Sequence, residues 1–208
     1  MRLAMRATVR AKVRAKVRMT FLLLLAMFAA PLAGPARAEG GPDRAALFRR
    51  LREARTEREG RMAEDAVWRM WMAEAPTAAI AEAVAEAMRR RESYDFAGAL
   101  AILDRVVAQA PGYAEGWNQR AFIRFLRDDS DGSLEDIERA LALEPLHFAA
   151  LAGKATILIR QGRMELGQAA LRRAVAIHPW IRERSMLIPP PGEAPPEHRR
   201  NADPGRDI

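Results

Sequence analysis

The chain has 208 residues and no cysteine, which excludes a disulfide framework, a thiolate-held metal centre, a thiol nucleophile and a lipid anchor on cysteine. Its 34 Lys plus Arg exceed its 27 Asp plus Glu for a formal charge of +7, a balance that suits a polyanionic partner. Eight of those cations (Arg2, Arg6, Arg10, Lys12, Arg14, Lys16, Arg18 and Arg37) lie in residues 1–38 with no acid, leaving 26 basic against 27 acidic residues elsewhere. A net charge of about −1 beyond the leader gives no general attraction to phosphate, so a nucleic-acid role is disfavoured.

In chain order, a basic stretch over residues 1–20 precedes the apolar run Phe21 to Ala30. Pro31 and Gly34 break that run, and Ala36-Arg37-Ala38 places small residues in an A-x-A arrangement. The order predicts a signal peptide over 1–38, cleaved after Ala38, and a periplasmic or secreted protein. Ten helical residues reach only about 15 Å, half the roughly 30 Å hydrocarbon core, so no stable membrane insertion is expected after cleavage. Met5 is an alternative start. Residues 39–76 then read as a linker and a helical hairpin. Asp43 caps a helix containing Ala46, Leu47, Phe48 and Leu51. A charged turn, Thr56 to Gly60, leads to a second helix with Met62, Ala66, Val67, Met70 and Trp71. Trp68 and Trp71 are three apart, a spacing that favours core packing. This hairpin is expected to cap the front of the helical units that follow.

Those units repeat. Pro111, Pro145 and Pro179 lie 34 residues apart, and Arg105, Arg139 and Arg173 and Ala108, Ala142 and Ala176 keep the same register. A strict period of this length marks a helix–turn–helix solenoid. Leu134, Ile137, Ala140 and Leu141 follow helical spacing, and so do Leu151, Ala155 and Leu158. Asp131 and Ser133 offer acceptors at the start of a second helix, Pro145 ends it, and no segment alternates as a strand would. The pattern resembles the tetratricopeptide repeat (TPR), whose small positions fall at Ala87, Ala121 and Ala155 on first helices and at Ala99, Ser133 and Gly167 on second helices. Glu86 and Arg90 depart from the family pattern, and Arg124 stands where it has tyrosine. The resemblance implies an all-α superhelix of about three repeats within residues 77–188 (about 80–113, 114–147 and 148–181). A short helix around Trp180, Ile181, Met186 and Leu187 would close it. Residues 189–208, with prolines at 189, 190, 191, 195, 196 and 204, read as a disordered tail.

No catalytic constellation emerges. His147 and His178 fall in turns between units and His198 in the tail, none at a metal-ligand spacing. Asp128, Asp129 and Asp131 miss the calcium-loop register, and neither a phosphate loop nor a nucleophile elbow is present. No cofactor and no enzymatic activity are expected. The chemistry that remains is recognition of a protein or peptide partner, whose identity the sequence leaves open. In the family the first helix of each repeat lines a concave groove, which here implies Met88, Asn118, Gln119, Phe122, Phe125, Leu126, Thr156 and Arg160. Phe122 and Phe125 are the expected anchors, and the Asn118 amide suits a ligand backbone. The family's carboxylate clamp is missing, because its positions hold Val84, Met88, Gln119, Ala149 and Gly153. The reading is an exported, non-catalytic scaffold; the alternative is a self-associating structural component of the cell envelope.

Overall fold

The computed structural model describes residues 43–189. The expected leader over 1–38 and the tail beyond Pro189 lie outside the described residues. Among those described, all regular structure is helical: α1 (Arg44–Glu53), α2 (Glu57–Ala73), α3 (Ala78–Glu92), α4 (Phe96–Gln109), α5 (Ala114–Leu126), α6 (Ser130–Leu143), α7 (Phe148–Arg160), α8 (Met164–Ile177) and a 3-10 turn at Arg182–Met186.

Side-chain acceptors set most of the starts. Asp43, Thr56, Thr77, Asp95, Asp129 and His147 each accept a backbone amide from the first turn of α1, α2, α3, α4, α6 and α7 respectively. Two expectations shift as a result. Helix α6 begins at Ser130, so Asp129 rather than Asp131 or Ser133 holds its free amides, and the buried Ser133 hydroxyl donates across to Ala121 O on α5 at 2.8 Å. Helix α2 begins at Glu57 behind the Thr56 cap, so Gly60, expected in a turn, is helical.

Helices pair as α3–α4, α5–α6 and α7–α8, and successive pairs stack. The bend inside each pair uses one left-handed residue: Tyr94 (φ 62°), Asp128 (φ 61°) and Gly162 (φ 74°). Behind each of them an amide reaches back five residues, from Asp95 to Arg90 O, Asp129 to Arg124 O and Arg163 to Leu158 O, at 2.8–2.9 Å. The paired helices meet at the small positions read from sequence: Ala87, Ala99, Ala121, Ser133 and Ala155 are at most 2% exposed. At Gly167 a Cβ would sit 2.6 Å from Ile159 Cγ1 and 3.1 Å from Ala155 O, so only glycine allows this approach. Arg124, in the tyrosine position, clasps the pair by polar contact. It donates to Gly132 O at 2.8 Å and lies 3.4 Å from buried Asp136, which Arg120 also holds through two hydrogen bonds of 2.8 and 2.7 Å.

The hairpin sits differently from the expected front cap. Only Met72, near the end of α2, and Ala75 beyond it reach the first-repeat core of Ile80, Val84, Leu103 and Val106. Leu47, Phe48, Leu51, Ala63, Val67, Met70 and Trp71 instead join Ile137, Leu141, Phe148, Leu151, Ile177 and Ile181 from the second and third repeats and the chain beyond. Met62, expected in the apolar stripe, is 58% exposed, and Ala63 takes the inward position. Aromatic complementarity explains the site chosen. Trp71 stacks on His147 with ring centres 4.0 Å apart and meets Phe148 at 5.0 Å, whereas one repeat earlier the corresponding residues are Tyr113, already buried in the first-repeat core, and Ala114. The start of α2 is clasped to the far end of the superhelix. The Trp180 indole donates to Ala54 O at 2.8 Å, and His178 Nε2 lies 3.2 Å from Glu64. At the closing end Met186 and Leu187 cover Ala155, Ala170 and Leu171.

Candidate binding groove

Helix α2 is two-faced. Ala63, Val67, Met70 and Trp71 enter the core, while Glu57, Arg61, Glu64 and Trp68, spaced four, three and four residues apart, turn to the other side. There they form one wall of a cavity of about 640 Å³. Opposite stand the first helices of the second and third repeats: Asn118, Gln119, Phe122 and Phe125 of α5, and Ala149, Ala152, Gly153 and Thr156 of α7. The segment from Trp180 to Ser185 closes one end.

The base of the α5 wall is a buried polar network. Glu115, 1% exposed, accepts from Gln119 Nε2 at 2.6 Å, from Asn118 Nδ2 at 3.3 Å and from His147 Nε2 at 3.0 Å. His147 Nδ1 accepts the Ala150 amide at 3.3 Å, which puts the ring proton on Nε2, aimed at the carboxylate. The other histidine–carboxylate contact joins α2 to the turn after α8. The hydrogen bond from His178 holds the Glu64 carboxyl below the usual carboxylate range.

The expected site residues divide into three sets. Asn118, Gln119, Phe122, Phe125 and Thr156 line the cavity. Within this set Gln119 is fully committed to the fold, because Arg91 Nη1 also donates to its oxygen at 3.2 Å, and Thr156 donates back to Ala152 O. Asn118 donates to Glu115 and keeps its carbonyl oxygen without a partner among the described residues. Phe122 is 43% exposed, and Phe125 is half-buried. Arg160 stands at the rim, its guanidinium 5.0 Å from the Phe125 ring centre. Met88 and Leu126 do not line the cavity. Met88 follows Val84 by one turn and Leu126 follows Ile123 by one turn, and both pairs face the first-repeat core.

Trp68 and residues 180–185 complete the walls without having been among the expected site residues, and Arg91, on the first-helix face of the first repeat, joins them. The spacing of Glu57, Arg61, Glu64 and Trp68 was visible in the sequence. Its meaning depends on where the hairpin docks, and the Glu64–His178 contact spans 114 residues.

No family model matches the chain. It is 43% identical over 81 residues to a TPR repeat-containing protein of Rhizobium etli, a match covering 39% of this chain and 40% of that protein. It is 36% identical over 67 residues to a tetratricopeptide repeat protein 36 homolog of Nematostella vectensis, covering 32% and 37% respectively. Both relatives are named as tetratricopeptide repeat proteins, and the paired helices of the 34-residue units are similar to that repeat. The chain matches about two-fifths of the length of these relatives. In TPR terms the cavity lies on the first-helix face of repeats two and three, with the chain's own α2 as the facing wall.

Proposed function

We propose that this TPR domain is a non-catalytic module that holds a protein or peptide segment between α2, α5 and α7. The observation that carries the reading is the pair Phe122 and Phe125. Two large apolar rings, the first 43% exposed, stand on a cavity wall whose neighbouring α7 surface carries only small side chains at Ala149, Ala152 and Gly153. Rings left in water beside a recess of small residues are the arrangement that an inserted side chain completes. Both relatives are named for their repeats, which supports binding as the role. The order of residues 1–38 supports export, with the module working in the periplasm or outside the cell.

One experiment addresses both parts. A photo-crosslinking residue at position 125 of the full-length chain, expressed in cells, is expected to give discrete adducts, while the same probe at Arg172 on the exposed side of α8 gives none. The chain recovered from the exported fraction is expected to begin at Glu39. Identical adducts from both positions, or none from position 125, count against the groove. An exported chain that retains its basic amino terminus counts against the leader.

A further inference from the structure

The walls of the cavity differ in charge. On the α2 side the signs are mixed and largely satisfied: Glu57 pairs with Arg61 at 2.7 Å, and Glu64 is held by His178. On the α3–α5–α7 side the carboxylate nearest the floor, Glu115, is buried beneath three donors. Other cations of α5 and α7 turn away to acids behind the wall: Arg120 and Arg124 to Asp136, and Lys154 to Glu138. Two guanidiniums remain beside the exposed Phe122 and the half-buried Phe125. Arg91 lies 5.3 Å from the centre of Phe122, and Arg160 lies 5.0 Å from the centre of Phe125. The acid nearest Arg91 is its exposed neighbour Glu92 at 3.9 Å, and Arg160 has no carboxylate within salt-bridge distance among the described residues.

A guanidinium lying over an aromatic face can still offer edge donors to a planar acceptor such as a carboxylate; Arg91 spends Nη1 on the Gln119 oxygen at 3.2 Å and has its other nitrogens left for one. Each phenylalanine is thus a small apolar platform with an anion site at its border. We propose that the occupant of this groove is an acidic peptide segment with one bulky apolar side chain. That side chain seats between Phe122, Phe125 and the Ala149–Gly153 face, and flanking carboxylates meet Arg91 and Arg160. The inference rests on the groove reading above and adds the chemistry of the partner. These positions are not those of the family's carboxylate clamp, which here hold apolar, small or amide residues. The two guanidiniums beside the rings favour acidic partners and disfavour basic ones.

The test uses the full-length chain and three series of fluorescent peptides with a central Leu, Phe or Trp, flanked by Glu, Ser or Lys, titrated by anisotropy at low and at 0.5 M salt. Glu-flanked peptides are expected to bind about tenfold more tightly than Ser-flanked ones at low salt, with Lys-flanked ones weakest, and the preference shrinks in high salt. Joint replacement Arg91→Gln and Arg160→Gln is expected to bring the Glu and Ser series within about twofold. Gly153→Met, which fills the recess where an added Cβ meets only Ile137 Cδ1 at 3.6 Å, is expected to weaken every series while leaving helicity intact. Equal binding of Glu and Ser series, or a preference that survives the arginine replacements, overturns the acidic assignment and leaves the groove reading standing. If no series binds, or Gly153→Met has no effect on binding, the groove reading fails and takes this inference with it. Dimerisation of the full chain that Phe122→Ala abolishes assigns the face to a second copy and also overturns it.

Discussion

At position 94 a tyrosine occupies a left-handed bend, φ 62°, that the next repeats give to Asp128 and Gly162. For a residue with a Cβ this conformation costs about 1–2 kcal/mol. Tyr94 is 81% exposed, and its ring recovers little, meeting only Phe96 edge-on at 6.0 Å. Replacing Tyr94 by Gly is expected to stabilise the domain by about 1 kcal/mol, read as a raised denaturant midpoint with unchanged slope. A lowered midpoint would mean that the aromatic contact outweighs the strain. The sequence concealed this feature, since Tyr, Asp and Gly share the conformation and nothing in their residue type. The prolines that follow α4, α6 and α8 were legible because they recur by identity.

At the scale of elements, α2 shows how a helix can be read correctly as amphipathic and still be misplaced. Its inward stripe holds Ala63, Val67, Met70 and Trp71, whichever body it packs against. Gly60 separates the two possible dockings. In an isolated helix Ala is preferred to Gly by about 1 kcal/mol, so Gly60→Ala would stabilise a hairpin that merely capped the first repeat. In this fold the added Cβ would lie 2.7 Å from Trp180 Cβ, an atom too close to the backbone to swing aside. Gly60→Ala is therefore expected to cost about 1–3 kcal/mol, measured by denaturant unfolding. A gain in stability would contradict the docking of α2 against the turn after α8. Five of the eight expected site residues line the cavity, because a spacing of three and four along α5 and α7 identifies one face of a helix. Met88 and Leu126 fell outside it because adjacent faces of one helix serve the groove and the core.

For the whole molecule, repeat arrays ordinarily hold together through neighbours alone. Here the hairpin joins the second repeat, the third repeat and the chain end in one core, with Glu64 and His178 as its polar link. The Glu64 carboxyl is lowered from its ordinary value of 4.5, chiefly by the hydrogen bond from His178. A depressed carboxyl contributes stability that is fully present above the unfolded value and lost as pH falls through the folded one. The stability difference between the native chain and Glu64→Gln is accordingly expected to be largest near pH 7, to shrink as pH falls below 4.5 and to vanish once pH is below the lowered folded value, followed by unfolding at several pH values. Half-buried Glu86 and Asp95 are also lowered, by Arg90 and Arg89 and by the Gly98 amide with Arg90 respectively, so both chains weaken in acid and only their difference reports on Glu64. A pH-independent difference would remove the link its role.

The sequence by itself determined the helical class, the 34-residue period and the small contact positions Ala87, Ala121, Ala155 and Gly167, because these follow from local spacing and close packing that every repeat must satisfy. It also named Phe122 and Phe125 as anchors; Phe122 is exposed, whereas Phe125 packs in part against the core that holds Ala121. Only the tertiary structure decided that the hairpin turns back along the first-helix side, bringing Trp71 onto His147, Glu64 to His178 and Trp180 to Ala54. Those contacts join residues 76, 114 and 126 positions apart, and a local pattern carries no information at that distance. The choice among possible docking faces rests on aromatic and polar complementarity, which exists only once the repeats have assembled.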